Sequence, residues 1–167
     1  APAGTAAPSV LKSRAEALAG SQRIAIDTPA LKGSVSLRGG RFDDLSFVRY
    51  RETIDPKSAN IVLFSPSDAD KGYYADIGWV APSGSAVAAP NAETLWQSPG
   101  GVLTPSSPVT LTYDNGQGLF FTRTLQVDDK FMFTVTDRVE NRGSGPVALS
   151  PYGRISRIGA PPVEGIY

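Results

Sequence analysis

The chain has 167 residues, 16 lysines plus arginines against 16 aspartates plus glutamates, and neither histidine nor cysteine. Balanced charge leaves no basic excess for nucleic acid and no polybasic run for an anionic membrane surface. The missing histidines and cysteines exclude Ser-His-Asp, Cys-His and histidine–metal chemistry within the chain, together with zinc–thiolate sites, iron–sulfur clusters and disulfides.

Seventeen glycines and 14 prolines, spread along the chain, predict many turns between short strands in a single domain. No stretch approaches the roughly 20 consecutive apolar residues of a membrane span. A start at Ala1 without methionine is read as a processed or excised piece. Residues 1–8 are small and proline-bearing and predict a linker, and residues 9–20 predict a short helix. Ser9 is its expected cap, Val10, Leu11, Ala15 and Leu18 its apolar stripe, and Gly20 its stop. The expected division is therefore a tether and short helix over 1–21 and a β-sandwich over 22–167.

From Arg23 the apolar period becomes two. Ile24 and Ile26 alternate with polar neighbours, Leu31, Val35 and Leu37 follow with Gly33 in register, and Gly39-Gly40 supplies a turn. The return strand carries Phe42, Leu45 and Phe47. The step from 42 to 45 breaks the alternation and predicts a bulge near Asp43-Asp44. Residues 61–64 read as a short buried strand and residues 73–80 as another. Residues 81–108, rich in Pro, Ser, Gly and Ala, read mostly as loop with a short strand around Trp96.

The last third alternates most regularly. Val109, Leu111 and Tyr113 lead into the Asp114-Asn115-Gly116 turn signal. Leu119, Phe121, Leu125 and Val127 share a face, and the chain returns after residues 128–130 with Phe131, Phe133, Val135 and Val139. Residues 141–146 turn again and 147–158 form a further strand. Arg123 and Asp137 interrupt these apolar faces. With Val127 opposite Phe131 they fall diagonally adjacent, and an ion pair across the hairpin is the expectation. Several antiparallel strands with turn residues between them specify an all-β sandwich.

The carboxylate pairs Asp43-Asp44 and Asp128-Asp129 are read as turn residues, since neighbours on a strand point to opposite faces and do not converge. Asp68-Ala69-Asp70 has the opening spacing of a calcium loop but lacks its glycine and closing glutamate, so a polar loop is preferred. No phosphate loop, nucleophile elbow or S-x-x-K motif occurs. Neither a cofactor nor a metal is expected. Tyr73, Tyr74, Trp79 and Trp96 are the one ligand-like feature. A role in filling the sandwich core is preferred for them.

Residues 23–157 carry a resemblance. Ile24-Ala25-Ile26-Asp27-Thr28, Gly33-Ser34-Val35-Ser36-Leu37-Arg38-Gly39-Gly40 and Arg49-Tyr50-Arg51-Glu52-Thr53 come first. Leu63-Phe64-Ser65-Pro66, Leu111-Thr112-Tyr113-Asp114-Asn115-Gly116, Phe121-Thr122-Arg123-Thr124-Leu125 and the strand from Tyr152 to Arg157 follow. In order and spacing these resemble the first periplasmic domain of YidC-type membrane protein insertases, with wording closest to alphaproteobacterial members.

The resemblance implies an antiparallel β-supersandwich, similar to galactose-mutarotase and carbohydrate-binding folds. It implies a place in the periplasm beside the inner membrane, with residues 1–8 as the tether leaving a first membrane helix. It implies no catalysis in this domain, contact with Sec translocon accessory subunits, and nascent membrane proteins as what the whole protein handles. The family domain is longer, so further strands are expected beyond Tyr167, and with them an exposed edge able to pair with another chain. A secreted carbohydrate-binding sandwich using the four aromatics is the alternative. A mutarotase-like enzyme is disfavoured, since that chemistry in the family uses histidine.

Overall fold

The computed structural model describes residues 11–160. One helix and ten strands follow in chain order: α1 (Arg14–Ala19), β1 (Arg23–Asp27), β2 (Leu31–Ser36), β3 (Arg41–Arg51), β4 (Asn60–Phe64), β5 (Tyr73–Val80), β6 (Val102–Leu103), β7 (Val109–Asp114), β8 (Leu119–Val127), β9 (Phe133–Asn141) and β10 (Ser150–Arg157). Two sheets face each other as a sandwich, as expected. The larger runs β10-β5-β3-β2-β1-β6, with β4 attached to β3; the smaller runs β7-β8-β9.

The helix begins later than the sequence suggests. Ser9 and Val10 lie outside the described residues. Ser13 is the cap, and its side chain and that of Glu16 satisfy each other's backbone amides in a capping box. The expected apolar stripe does not form, since Leu11 and Ala15 are exposed and Ala17 is the buried residue. So short a helix is not stable alone, and it is held by polar contacts of Lys12 and Arg14 with the loop after β4 and with β3.

β1, β2 and β3 pair antiparallel by alternation, with Ile24 opposite Val35 and Ile26 opposite Gly33. The bulge is where the broken period placed it: Val35 pairs with Phe42 and Ser34 with Asp44, leaving Asp43 as the extra residue. Gly33 lies beside this kink, where a Cβ would run into the Asp44 carbonyl. Gly39 and Gly40 both take positive φ, +74° and +58°, in the turn between β2 and β3.

Three expectations change. Residues 61–64 are not a buried strand: β4 is an edge strand bonded to β3, with Ile61 and Val62 exposed and Leu63 and Phe64 half-buried against the core. β9 starts at Phe133, since Phe131 and Met132 belong to the preceding turn. Val127 therefore faces Phe133, and Arg123 lies directly opposite Asp137 rather than diagonal to it. Within residues 81–108, isolated bridges at Leu95 and Gln97 flank Trp96. The loop also holds β6, a two-residue strand parallel to β1 and too short to carry a period.

The core lies between the sheets. Ile24, Ile26, Leu31, Val35, Phe42 and Leu45 come from the large sheet, and Val109, Leu111, Leu119, Phe121, Leu125 and Val127 from the small one. Each such side chain stabilises the fold by about 1.5–3 kcal/mol on burial. No helix among the described residues is long and apolar enough to cross a membrane.

Candidate interaction surface

The alternation that sends Ile24, Val35 and Phe42 inward sends Arg23, Ser34 and Arg41 to the outer face of the large sheet. The bulge then brings both Asp43 and Asp44 to that face. Asp43-Asp44 therefore sit within β3, not in a turn, and they do converge on one network, because a bulge suspends the alternation that normally separates neighbours.

Arg23 organises it. Its Nε donates to Ser34 Oγ at 2.7 Å and its Nη1 to Ser21 Oγ at 3.0 Å, while its Nη2 donates to Asp43. Ser34 donates to Asp44 at 2.6 Å, and Arg14 of α1 donates to Asp44, to Ser65 Oγ and to the Phe64 carbonyl. Further along the sheet, Asp76 accepts from Arg41 on one oxygen at 2.6 Å and from Arg154 on the other at 2.8 Å. The Arg41 guanidinium also lies 4.4 Å over the Tyr74 ring.

A cleft of about 270 Å³ opens between α1 and this face, lined among others by Lys12, Ser21, Arg23, Ser36, Arg41 and Asp43. Burial pushes the Asp43 carboxyl above its ordinary pKa, against the lowering effect of Arg23. Its neighbour Asp44 is bound by Arg14 and Ser34, so the two carboxylates do not face one shared open space as an acid–base pair requires. The arrangement is suited to holding a rigid polar surface whose charges are neutralised internally.

A second cluster lies between the sheets. Arg123 on β8 is 0% exposed. Its Nε and Nη2 donate to the two oxygens of Asp137 on β9, each at 2.7 Å, confirming the ion pair. Nη2 also donates to the Ile77 carbonyl at 2.8 Å and Nη1 to the Gly40 carbonyl at 3.3 Å. The guanidinium stacks 4.9 Å from the Trp96 ring. One side chain thus joins β8 and β9 to β5 and the β2–β3 turn.

The four singled-out aromatics are dispersed. Trp96 is 3% exposed, under Arg123 and 6.1 Å from the Tyr113 ring. Tyr73 packs edge-on to Phe64 at 5.4 Å with Arg157 over its face. Tyr74, its neighbour on β5, meets Arg41 on the outer face, and Trp79 is partly buried against the core. They form no single exposed row, which leaves the carbohydrate-binding alternative without the surface it needs.

Asp68 pairs with Lys12 at 3.0 Å and Ala69 is buried. Among the described residues no group of three or more acidic, histidine or cysteine side chains is placed to hold a metal. Asp128 does serve its turn, accepting from the amides of Lys130 and Met132 at 2.9 and 3.0 Å. The Arg–Asp network of the outer face was missed in the sequence, because its members come from five separate elements. The broken alternation at Asp43 was its one local signal.

A family model described as the YidC periplasmic domain matches residues 23–166. A protein from Beijerinckia indica, named membrane protein insertase YidC, is 55% identical over 95% of this chain. Proteins of the same name from Methylobacterium radiotolerans and Rhizobium meliloti are 54% and 49% identical over 93% and 98% of it. The chain spans about a quarter of the length of these relatives, at 25–28%. The match runs through β1–β10, including the bulge, the Gly-Gly turn and the Arg123 strand, and the chain belongs to the family of YidC periplasmic domains.

Proposed function

We propose that this domain is the non-catalytic periplasmic module of a membrane protein insertase, a scaffold that positions partners beside the inner membrane while helices outside this chain insert substrates. The observation that carries the reading is the 55% identity, over 95% of the chain, to a protein named membrane protein insertase. The surface chemistry supports it: arginines and aspartates of the outer face are engaged with one another, which favours a stable presenting surface over a reactive site. Residues 1–21 act as tether and short helix, and residues 22–167 as the sandwich. Nascent membrane proteins are the substrates of the whole protein, and Sec accessory subunits are the partners of this domain.

The open edges add self-association. Among the described residues β9 and β10 each pair on one side only, and Ile155 of β10 is 65% exposed.

The test places a photoreactive amino acid in the full-length parent protein, one site at a time, at Arg154, Thr136 and Lys57, during synthesis of an inner-membrane protein. Crosslinks to Sec accessory subunits or nascent chains from at least one site are expected. Crosslinks to neither, from all three, count against the reading.

A further inference from the structure

One end of the molecule presents apolar side chains at the apices of two neighbouring loops. The β8–β9 turn carries Phe131 and Met132, 50% and 67% exposed, and the β3–β4 hairpin carries Tyr50 and Ile54, the latter fully exposed. The β8–β9 turn packs on the last part of β3, the strand that leads into the other loop: the Phe131 ring lies 5.7 Å from Phe47 and 6.5 Å from Tyr50.

Neither loop is loose. Asp128 accepts from the amides of Lys130 and Met132, and its own amide donates to the Met132 carbonyl at 3.0 Å. In the other loop Asp55 accepts from the Lys57 amide at 2.8 Å, Ser58 Oγ donates to the Asp55 carbonyl at 2.8 Å, and Arg51 donates to the Ser58 carbonyl at 2.6 Å. The turns therefore hold Ile54 and Met132 outward into water, with Phe131 half-exposed beside them against Phe47 and Tyr50. The charged rim is exposed and balanced: Arg49, Arg51, Lys57 and Lys130 against Glu52, Asp55, Asp128 and Asp129.

We infer that this tip seats in the headgroup layer of a phospholipid bilayer, a proposal that rests on the reading that the domain is held beside a membrane. Convex apices with apolar ends fit a soft medium that closes around them, whereas a protein partner would need matching pockets. Aromatic and tyrosyl side chains favour the boundary between headgroups and acyl chains. A rim carrying both signs complements zwitterionic headgroups, which present phosphate and ammonium together, and does not match the polybasic pattern that seeks anionic lipid. Insertion of three side chains is weak for a free domain. It becomes effective when a tether supplies a high local concentration.

The chain has no cysteine, so Ile54→Cys, Met132→Cys and, on the exposed face of the small sheet, Thr136→Cys each take one environment-sensitive nitrobenzoxadiazole label. Each labelled domain is attached through an N-terminal hexahistidine to phosphatidylcholine–phosphatidylethanolamine vesicles containing a nickel-chelating lipid. The tether thus comes from the vesicle, so a negative result speaks to the tip and not to the parent protein. The expected result is a blue shift at positions 54 and 132, quenched by brominated acyl chains, with no change at 136. Met132→Asp in the Ile54→Cys background abolishes the shift while leaving the thermal melt in place, since the Met132 side chain is 67% exposed and only its backbone bonds within the turn. No shift at 54 and 132, an equal response at all three sites, or a shift that needs membrane-free periplasmic extract instead of vesicles overturns the proposal.

Discussion

Replacing Arg123 with methionine tests the account of how the two sheets are joined. Arg123→Met keeps the length of the side chain against Trp96 and removes the charge and every donor. Asp137, whose side chain is 14% exposed, loses its partner, and the Ile77 and Gly40 carbonyls lose theirs. Stranding one member of a buried pair costs about 3–5 kcal/mol. Residual water access at Asp137 and the long 3.3 Å bond to Gly40 place the expected loss near the lower end, about 3–4 kcal/mol. For a slope of about 2 kcal/mol per molar urea, the midpoint should fall by roughly 1.5–2 M. The double variant Arg123→Met/Asp137→Leu removes the stranded carboxylate and should recover about half of that loss. Urea titrations followed by tryptophan fluorescence on Arg123→Met, Asp137→Leu and the double variant give all three values. A midpoint shift under about 0.5 M for Arg123→Met, or a double variant at least as unstable as the sum of its singles, would refute the reasoning.

Gly33→Ala drives a methyl group into the Asp44 carbonyl at the bulge and should destabilise by about 1–3 kcal/mol, read in the same titration; a neutral result would mean the strands are not so close. Asp43 has a pH signature. Its folded pKa is raised above the ordinary 3.8 by burial, so its contribution is full below that value and is lost as pH rises through the folded pKa. The destabilisation by Asp43→Asn should therefore be larger at pH 4 than at pH 7, and the reverse order contradicts the burial argument. Asp128→Ala should speed hydrogen exchange at the Lys130 and Met132 amides and leave those of β7 unchanged. Sedimentation velocity should show mass rising with concentration for the parent chain and less so for Ile155→Lys, and a concentration-independent monomer would exclude pairing through β10.

The sequence made the β1–β3 meander and the β7–β9 meander legible, because their apolar period of two and their glycine and asparagine turns agree with each other. The bulge was visible as a missed beat between Phe42 and Leu45. The Arg123–Asp137 pair was visible as two charges on otherwise apolar faces, and the register was off by two residues because Asp128 takes Phe131 and Met132 into its turn. The exposure of β4 was not legible, since a short apolar run reads the same on an edge as in a core. The helix cap was legible but passed over: Ser13 with Glu16 three residues on is a capping-box pattern, and the structure forms that box. The outer-face network was beyond reach, because pairs such as Arg41–Asp76 and Arg154–Asp76 depend on which strands become neighbours.

The pairing of β10 with β5 bears on the order of assembly. The whole small sheet is encoded between these two strands, so as the chain emerges β5 has its partner β3 only through Phe42 and Ala75 and must wait for β10. β1, β2 and β3 can pair locally during that interval, whereas β5 carries an unfilled row of amides and carbonyls until β10 arrives. Late, long-range closures of this kind are slow compared with local pairing and leave strand edges open to misassembly in the meantime. For a chain made at a membrane, that closure is completed only after β10 has crossed.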